Sequence, residues 1–223
     1  YDLSEFLSAE RLEEYRLTMS PLKFKSEILG QFLDEGGLVF ENFAQCIGQP
    51  SKKPPVFCGI DFAVCHEYGD QTVVTLMVEQ RHIVSIRTLQ ANPNEQIEAI
   101  VDLLNSTASL QRCFLERNGI GDIYYDLIRK GVKRKEVLHS FTTTNESKRA
   151  IIEQLNTAFN TRAIVIPQDR ELVKQLSHFA CHKTATGRIT YEGMQAHDDY
   201  VMSLAICLEA ASTRRPNYTV TIR

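Results

Sequence analysis

Two of the chain's apolar runs end in a carboxylate, and a third opens with a pair of them. Val56 to Phe62 is broken by Asp61 alone, in Gly59-Ile60-Asp61-Phe62-Ala63. Phe114-Leu115 stops at Glu116, in Glu116-Arg117-Asn118-Gly119, and His197-Asp198-Asp199 precedes the apolar stretch that reaches Ala211. An ionised carboxylate in such a place is costly unless a partner neutralises it, and no basic residue is regularly spaced to do so. Carboxylates gathered from these segments at one edge of a sheet would repel each other, yet they would make a seat for hard divalent cations.

The order of the segments allows that gathering. Val56–Phe62 reads as a central buried strand. Gln71–Val78 and Ile83–Leu89 follow as β-branched runs about a polar turn. Asn92-Pro93 opens a helix to about Leu104, and Cys113–Glu116 is a short buried strand. A helix over Gly119–Arg129, a strand over Val137–Phe141 and a helix over Asn145–Phe159 come next. Ile164–Pro167 reads as an edge segment, Asp169–Phe179 as helix, Thr184–Tyr191 as a hairpin turning at Gly187, and Ala196–Ala211 as the last helix. This succession predicts an α/β fold, a mixed sheet with helices on both faces. With 223 residues the chain is long enough for one domain with a full core.

Residues 1–54 differ from the rest. Ser8–Met19 reads as a charged helix, and Ser20-Pro21 supplies the cap and first position of a second one reaching about Leu33. Gly36-Gly37 breaks it, and Leu38-Val39-Phe40 reads as a short strand. Gln49-Pro50-Ser51-Lys52-Lys53-Pro54-Pro55 is an extended linker. The expected division is therefore a helical linker over residues 1–54 and a compact domain over residues 55–223.

Several function classes are disfavoured. No apolar run approaches the length needed to span a bilayer, so no membrane partner is expected. The start, Tyr1-Asp2-Leu3-Ser4-Glu5, lacks an initiator Met, a basic region and an apolar region, which predicts a piece of a longer protein rather than a secreted one. The net charge of −3 gives little support for tight nucleic-acid binding by these residues alone. The six cysteines form no CxxC pair, and Cys58, Cys113 and Cys207 read as small buried residues of a reduced, cytosolic protein. His178, Cys181 and His182 have metal-ligand spacing but want the fourth ligand of a structural zinc site.

Acids at the end of the first strand, at the end of the fourth and at the start of a late helix resemble the layout of ribonuclease H-like nucleases. More closely, Glu116-Arg117-Asn118-Gly119-Ile120-Gly121 and His197-Asp198-Asp199-Tyr200-Val201-Met202-Ser203-Leu204-Ala205 resemble the nuclease domain of viral large terminase subunits, the DNA-packaging motors of tailed phages. Phe24 to Phe32, Gly37 to Phe40, Thr144-Asn145-Glu146-Ser147-Lys148 and Gly187-Arg188-Ile189-Thr190-Tyr191 match places where that family carries similar residues. The resemblance implies a ribonuclease H-like fold and a divalent-metal-dependent endonuclease cutting double-stranded viral DNA during packaging. It implies two Mg²⁺ or Mn²⁺ ions held by Asp61, Glu116 and Asp199 or Asp198. It further implies an upstream ATPase domain, portal and small terminase subunit as partners, and the cytoplasm of an infected bacterial host as the setting. Nothing matches G-x-x-x-x-G-K-[ST], so ATP hydrolysis is not expected of these residues.

Each residue also has a plainer reading. Asp61 could cap a turn. Asp70, in Gly69-Asp70-Gln71, is either an acid assisting the metal site or an ordinary turn residue. Asp122 rivals Glu116 but falls in a helix's first turn, where it complements the dipole. One of Asp198 and Asp199 is explained by helix capping, and Asp199 is taken as the ligand with Asp198 as the capping or supporting group. Lys133 and Arg134, in the basic run Arg129–Lys135, are either a solvated face or phosphate contacts. Lys183 and Arg188, flanking the hairpin, are read as candidate DNA contacts. The rival readings of the whole are another ribonuclease H-like nuclease (a junction resolvase or transposase), a fragment of an actin-like ATPase or sugar kinase, and an inactive scaffold domain.

Overall fold

A computed structural model of the chain describes residues 6–19, 24–30, 37–63, 71–79, 81–89, 91–118, 121–184, 189–193 and 197–212. In chain order its elements are α1 (Ala9–Thr18), β1 (Gly37–Leu38), β2 (Phe57–Asp61), β3 (Thr72–Met77), β4 (Ile83–Leu89) and α2 (Pro93–Ser106). They continue with β5 (Arg112–Glu116), α3 (Gly121–Gly131), β6 (Leu138–Phe141), α4 (Asn145–Asn160), α5 (Arg170–Ser177), β7 (Phe179–Lys183), β8 (Ile189–Gly193) and α6 (Asp199–Ser212).

The main sheet has the order β4-β3-β2-β5-β6. β4, β3 and β2 are antiparallel neighbours, whereas β2, β5 and β6 run parallel. Side chains alternate between two cores, as a strand's period of two requires. Cys58, Ile60, Cys113 and Leu115 face one core with Ile100 and Leu104 of α2 and Tyr125 and Ile128 of α3. Val73, Met77 and Phe114 face the other with α4, α5 and α6. The expected α/β architecture, a mixed sheet with helices on both faces, is what the chain forms.

Local chemistry sets the helix starts. Asn92 accepts from Glu95 N–H at 3.1 Å, closing a capping box ahead of Pro93. Thr144 and Ser147 form a second such box at the start of α4, and Asp169 accepts from Glu171 and Leu172 N–H to start α5. At the start of α6, Tyr200 N–H donates to the buried Gln175 side chain of α5 at 2.9 Å. α6 itself is buried along nearly its whole length, so its placement is a matter of backbone approach.

Gly59 makes that approach possible. A Cβ there would meet Cys207 N at 2.3 Å and Ser203 O at 2.5 Å, so α6 lies directly on the backbone of β2. Cys58, Cys113 and Cys207, the cysteines read as buried, are all buried free thiols.

The hairpin departs from expectation. α5 ends at Ser177, and Phe179 begins a strand rather than ending a helix. Tertiary pairing overrides the local pattern: Leu38 sits opposite Ala180, Val39 N–H donates to Phe179 O at 3.0 Å, and the Phe179 ring packs 5.4 Å from that of Phe40. β1, β7 and β8 thus form a separate three-stranded sheet. Its turn at Gly187 lies outside the described residues. The Leu38–Phe40 strand is shifted to Gly37–Leu38, since Val39 and Phe40 turn into the core. Residues 24–28 form a single π-helical turn in place of part of the expected second helix, whose Ser20-Pro21 cap is outside the described residues. Val39, Phe40, Phe43 and Cys46, which precede the linker, pack into the same core as α4–α6.

Candidate metal centre

β2 and β5 run parallel with Ile60 opposite Leu115, so Asp61 and Glu116 leave the sheet side by side at its carboxyl edge. The chain diverges there, β3 to one side of β2 and β5 to the other, and open α/β sheets place ligands in such a crevice. α6, seated on Gly59, points its first residues at the same edge. Asp199, 8% exposed, accepts from Gln71 N–H through Oδ2 at 3.0 Å, which ties it to the residue before β3. Thr72 holds the exit of β2: its hydroxyl accepts from Ala63 N–H at 2.9 Å and donates to Gln96 Oε1 at 2.6 Å.

The electrostatics record the convergence. The Asp61 carboxyl is raised well above its ordinary range, first by burial, then by its hydrogen bond to Glu116, then by the charges of Glu116, Asp199 and Asp198. The other three acids read from the sequence therefore all act on Asp61. Glu116 is steadied by Asn118, whose amide donates to Glu116 Oε1 at 3.0 Å and to Thr143 O at 3.1 Å while accepting from Thr143 N–H at 3.1 Å. Arg117, next to Glu116, is engaged elsewhere. It pairs with Asp122 and lies 5.1 Å over the Tyr125 ring. Asp122 is thus a first-turn acid of α3, turned to Arg117.

Asp198 is held differently from its neighbour. Its Oδ2 lies 2.7 Å from Lys148 Nζ on α4, and its backbone carbonyl accepts from Met202 N–H at 2.8 Å. Lys148 is a basic partner of this edge that the search for a regularly spaced cation missed. It is distant from Asp198 in sequence, and its one signal is its place in Thr144–Lys148.

Other candidate residues are not brought to this edge. Lys133 and Arg134 lie between α3 and β6, at the opposite end of the parallel strands, about 15 Å along a five-residue strand. There Arg134 donates to Thr107 O at 2.9 Å, and Lys133 N–H to Asn105 Oδ1. Lys183 ends β7 opposite Ile189, while Asp70 and Arg188 lie outside the described residues. His178, Cys181 and His182 point apart: His178 Nδ1 lies 2.8 Å from Lys174 O, Cys181 donates to Gly37 O, and His182 faces Glu192.

Among the described residues no three such side chains are already closed around a point at ligand distance. The donors nevertheless suit a hard divalent cation: several carboxylates share one edge, and burial together with the neighbouring acids raises the Asp61 carboxyl. Asp61, Glu116 and Asp199 are the residues that could hold it.

Sheet order, helix placement and carboxylate edge define the ribonuclease H-like fold. Solved structures that share it with this chain include nuclease domains of phage large terminases. The large terminase nuclease from thermophilic phage G20c is 18% identical with a TM-score of 0.64, over 77% of this chain and 97% of that one. The same nuclease with bound magnesium gives 17% and 0.62 over 80% and 89%. The large terminase of bacteriophage HK97 gives 12% and 0.60 over 93% of this chain and 52% of that one, so the present chain spans about half of its length. At these identities the likeness establishes the fold. No protein-family model and no curated protein matches the sequence. Among the described residues no helix is long and apolar enough to cross a membrane.

Proposed function

We propose that the chain is the nuclease part of a viral large terminase, a divalent-metal-dependent endonuclease that cuts double-stranded DNA during genome packaging. One observation carries the reading: Asp61, Glu116 and Asp199 converge at the carboxyl edge of β2 and β5, where burial, the hydrogen bond to Glu116 and the charges of the neighbouring acids raise the Asp61 carboxyl. The fold shared with the G20c nuclease, and the magnesium bound to that protein, support it.

In this reading Asp61 and Glu116 present oxygens from two rigid strands, and Asn118 keeps Glu116 from swinging away. Asp199 is fixed by Gln71 N–H and presents its carboxylate to the same edge, and Asp70 is a candidate supporting acid. Divalent cations held there by Asp61, Glu116 and Asp199, two Mg²⁺ or Mn²⁺ ions in this reading, would supply an acidified water and neutralise charge on the leaving oxygen. Lys183 and Arg188 remain candidate phosphate contacts, and Lys133 and Arg134, at the far end of the parallel strands, would touch DNA only as a remote contact. The partners proposed are an upstream ATPase domain of the same protein, the portal and the small terminase subunit, and the setting is the cytoplasm of an infected bacterium.

The test is direct. Purified protein with Mg²⁺ or Mn²⁺ should nick and linearise supercoiled plasmid, and a chelator should stop it. A clean preparation inert in both metals at neutral and mildly alkaline pH removes the reading, and nucleotide hydrolysis in its place would favour the actin-like alternative.

A further inference from the structure

Lys148 sits against one of the four carboxylates, that of Asp198. Its Nζ is 2.7 Å from Asp198 Oδ2, and the two side chains are only 22% and 26% exposed, so solvent does not wash the pair out. The buried Phe179 ring lies 5.9 Å beneath the ammonium. Its helix is pinned one turn earlier by the Thr144–Ser147 capping box, and Lys148 N–H donates to Thr144 O at 2.8 Å. On its other side Lys148 lines a cavity of about 240 Å³ with Asn145 and residues 189–192 of β8, so the charge is reachable from solvent. Asp198 and Asp199 are adjacent in sequence yet meet opposite surroundings. Asp199 is buried against a backbone N–H, and Asp198 is drawn toward α4 by an ammonium.

We propose that Lys148 is a positioning residue that divides the work of the two aspartates: its ammonium holds the Asp198 carboxylate aside and leaves Asp61, Glu116 and Asp199 as the set open to divalent cations. The inference rests on the nuclease reading for its consequence in catalysis, but its core is a statement about cation uptake by this chain. Formal charge supports it. Once cations displace the Asp61 proton, four carboxylates and one ammonium leave the edge three charges negative, and a phosphodiester arriving there adds one more. Two divalent cations then balance the whole. Without the ammonium, Asp198 would compete as a ligand and the edge would hold cations too tightly and in another arrangement.

The experiment is a charge cycle on the 223-residue protein, with Mn²⁺ binding followed by calorimetry in the absence of DNA and plasmid cleavage followed separately. Lys148→Met should bind Mn²⁺ about tenfold more tightly, the scale of one unit charge acting on a divalent cation across a few ångströms of water-like medium. It should cleave far more slowly. Asp198→Asn, which leaves Lys148 unpaired, should bind more weakly by a similar factor, and the double variant should return to the wild-type affinity. Lys148→Arg, which keeps the charge, should stay nearer wild type than Lys148→Met. A lysine that only braced the fold would lower the melting temperature of Lys148→Met without tightening Mn²⁺, and that result overturns the proposal. So does a double variant that binds Mn²⁺ as tightly as Lys148→Met, and so does a wild-type protein that takes up no Mn²⁺. If the cycle behaves as described but the wild type cuts no plasmid, the role of Lys148 stands and the nuclease reading falls.

Discussion

Ser203 Oγ donates to the Gly59 carbonyl at 3.1 Å, so the last helix is hydrogen-bonded to the middle of the central strand. The Thr75 hydroxyl lies 2.9 Å from the same Oγ and, with the Ser203 proton committed to Gly59, acts as donor to it. The contact sits one turn below Asp199. It fixes the height of α6 on the sheet and thereby brings that carboxylate level with Asp61.

Gly59→Ala should therefore act on the site through the helix. Its Cβ would land within 2.6 Å of backbone atoms of Ser203 and Cys207, which cannot rotate away. The loss expected is roughly 3 kcal/mol, the upper range for overpacking. Denaturant unfolding of the purified variant measures it, and a midpoint equal to wild type would show that the helix is not seated as described.

Asp61→Asn removes the charge that the site tolerates least while keeping the side chain's size. Cleavage should fall by orders of magnitude, and the melting temperature without metal should rise. Thermal melts in chelator alongside plasmid assays test both parts. Unchanged cleavage would take Asp61 out of the site.

How much of this was legible beforehand depended on the range of the interaction concerned. Asp61, Glu116 and Asp199 could be read because an acid interrupting an apolar run is a local anomaly, and a parallel pair of strands then has to bring two of them together. Lys148 could not, because its partner lies 50 residues away and no periodicity links them. The strand at Phe179 was hidden for the same reason: it exists because Leu38 and Val39 pair with it across the fold. Gly59 carried a signal, a glycine inside a buried strand, but that signal does not say which element approaches. The basic residues near position 133 read as a charged patch, whereas the direction of β5 and β6 decides that they face away from the acids.

The pH dependence of the metal-free protein has a definite sign. Asp61 titrates well above its ordinary value of 3.8, so the folded state keeps a proton that the unfolded state releases. Its contribution to stability is complete below that ordinary value and is lost as pH rises through the folded value. The gap in melting temperature between Asp61→Asn and wild type should accordingly widen with rising pH in chelator. A gap that stays constant from acid to neutral pH would mean that Asp61 binds protons no more readily in the folded state than in the unfolded one.

The two adjacent aspartates should separate when substituted, because they are held by different partners. Asp199→Asn keeps an oxygen for Gln71 N–H, so the fold should survive while Mn²⁺ uptake and cleavage are lost. Asp199→Ala should in addition destabilise by about 1–3 kcal/mol, since it leaves that N–H without its acceptor. Asp198→Asn gives up a partly exposed ion pair with Lys148, worth about 1 kcal/mol, and should keep measurable cleavage because it removes no oxygen from the set open to cations. Melting curves and single-turnover cleavage of the three variants decide the matter. An inactive Asp198→Asn with normal stability, beside an active Asp199→Asn, would exchange the roles and make Asp198 the ligand that Lys148 releases.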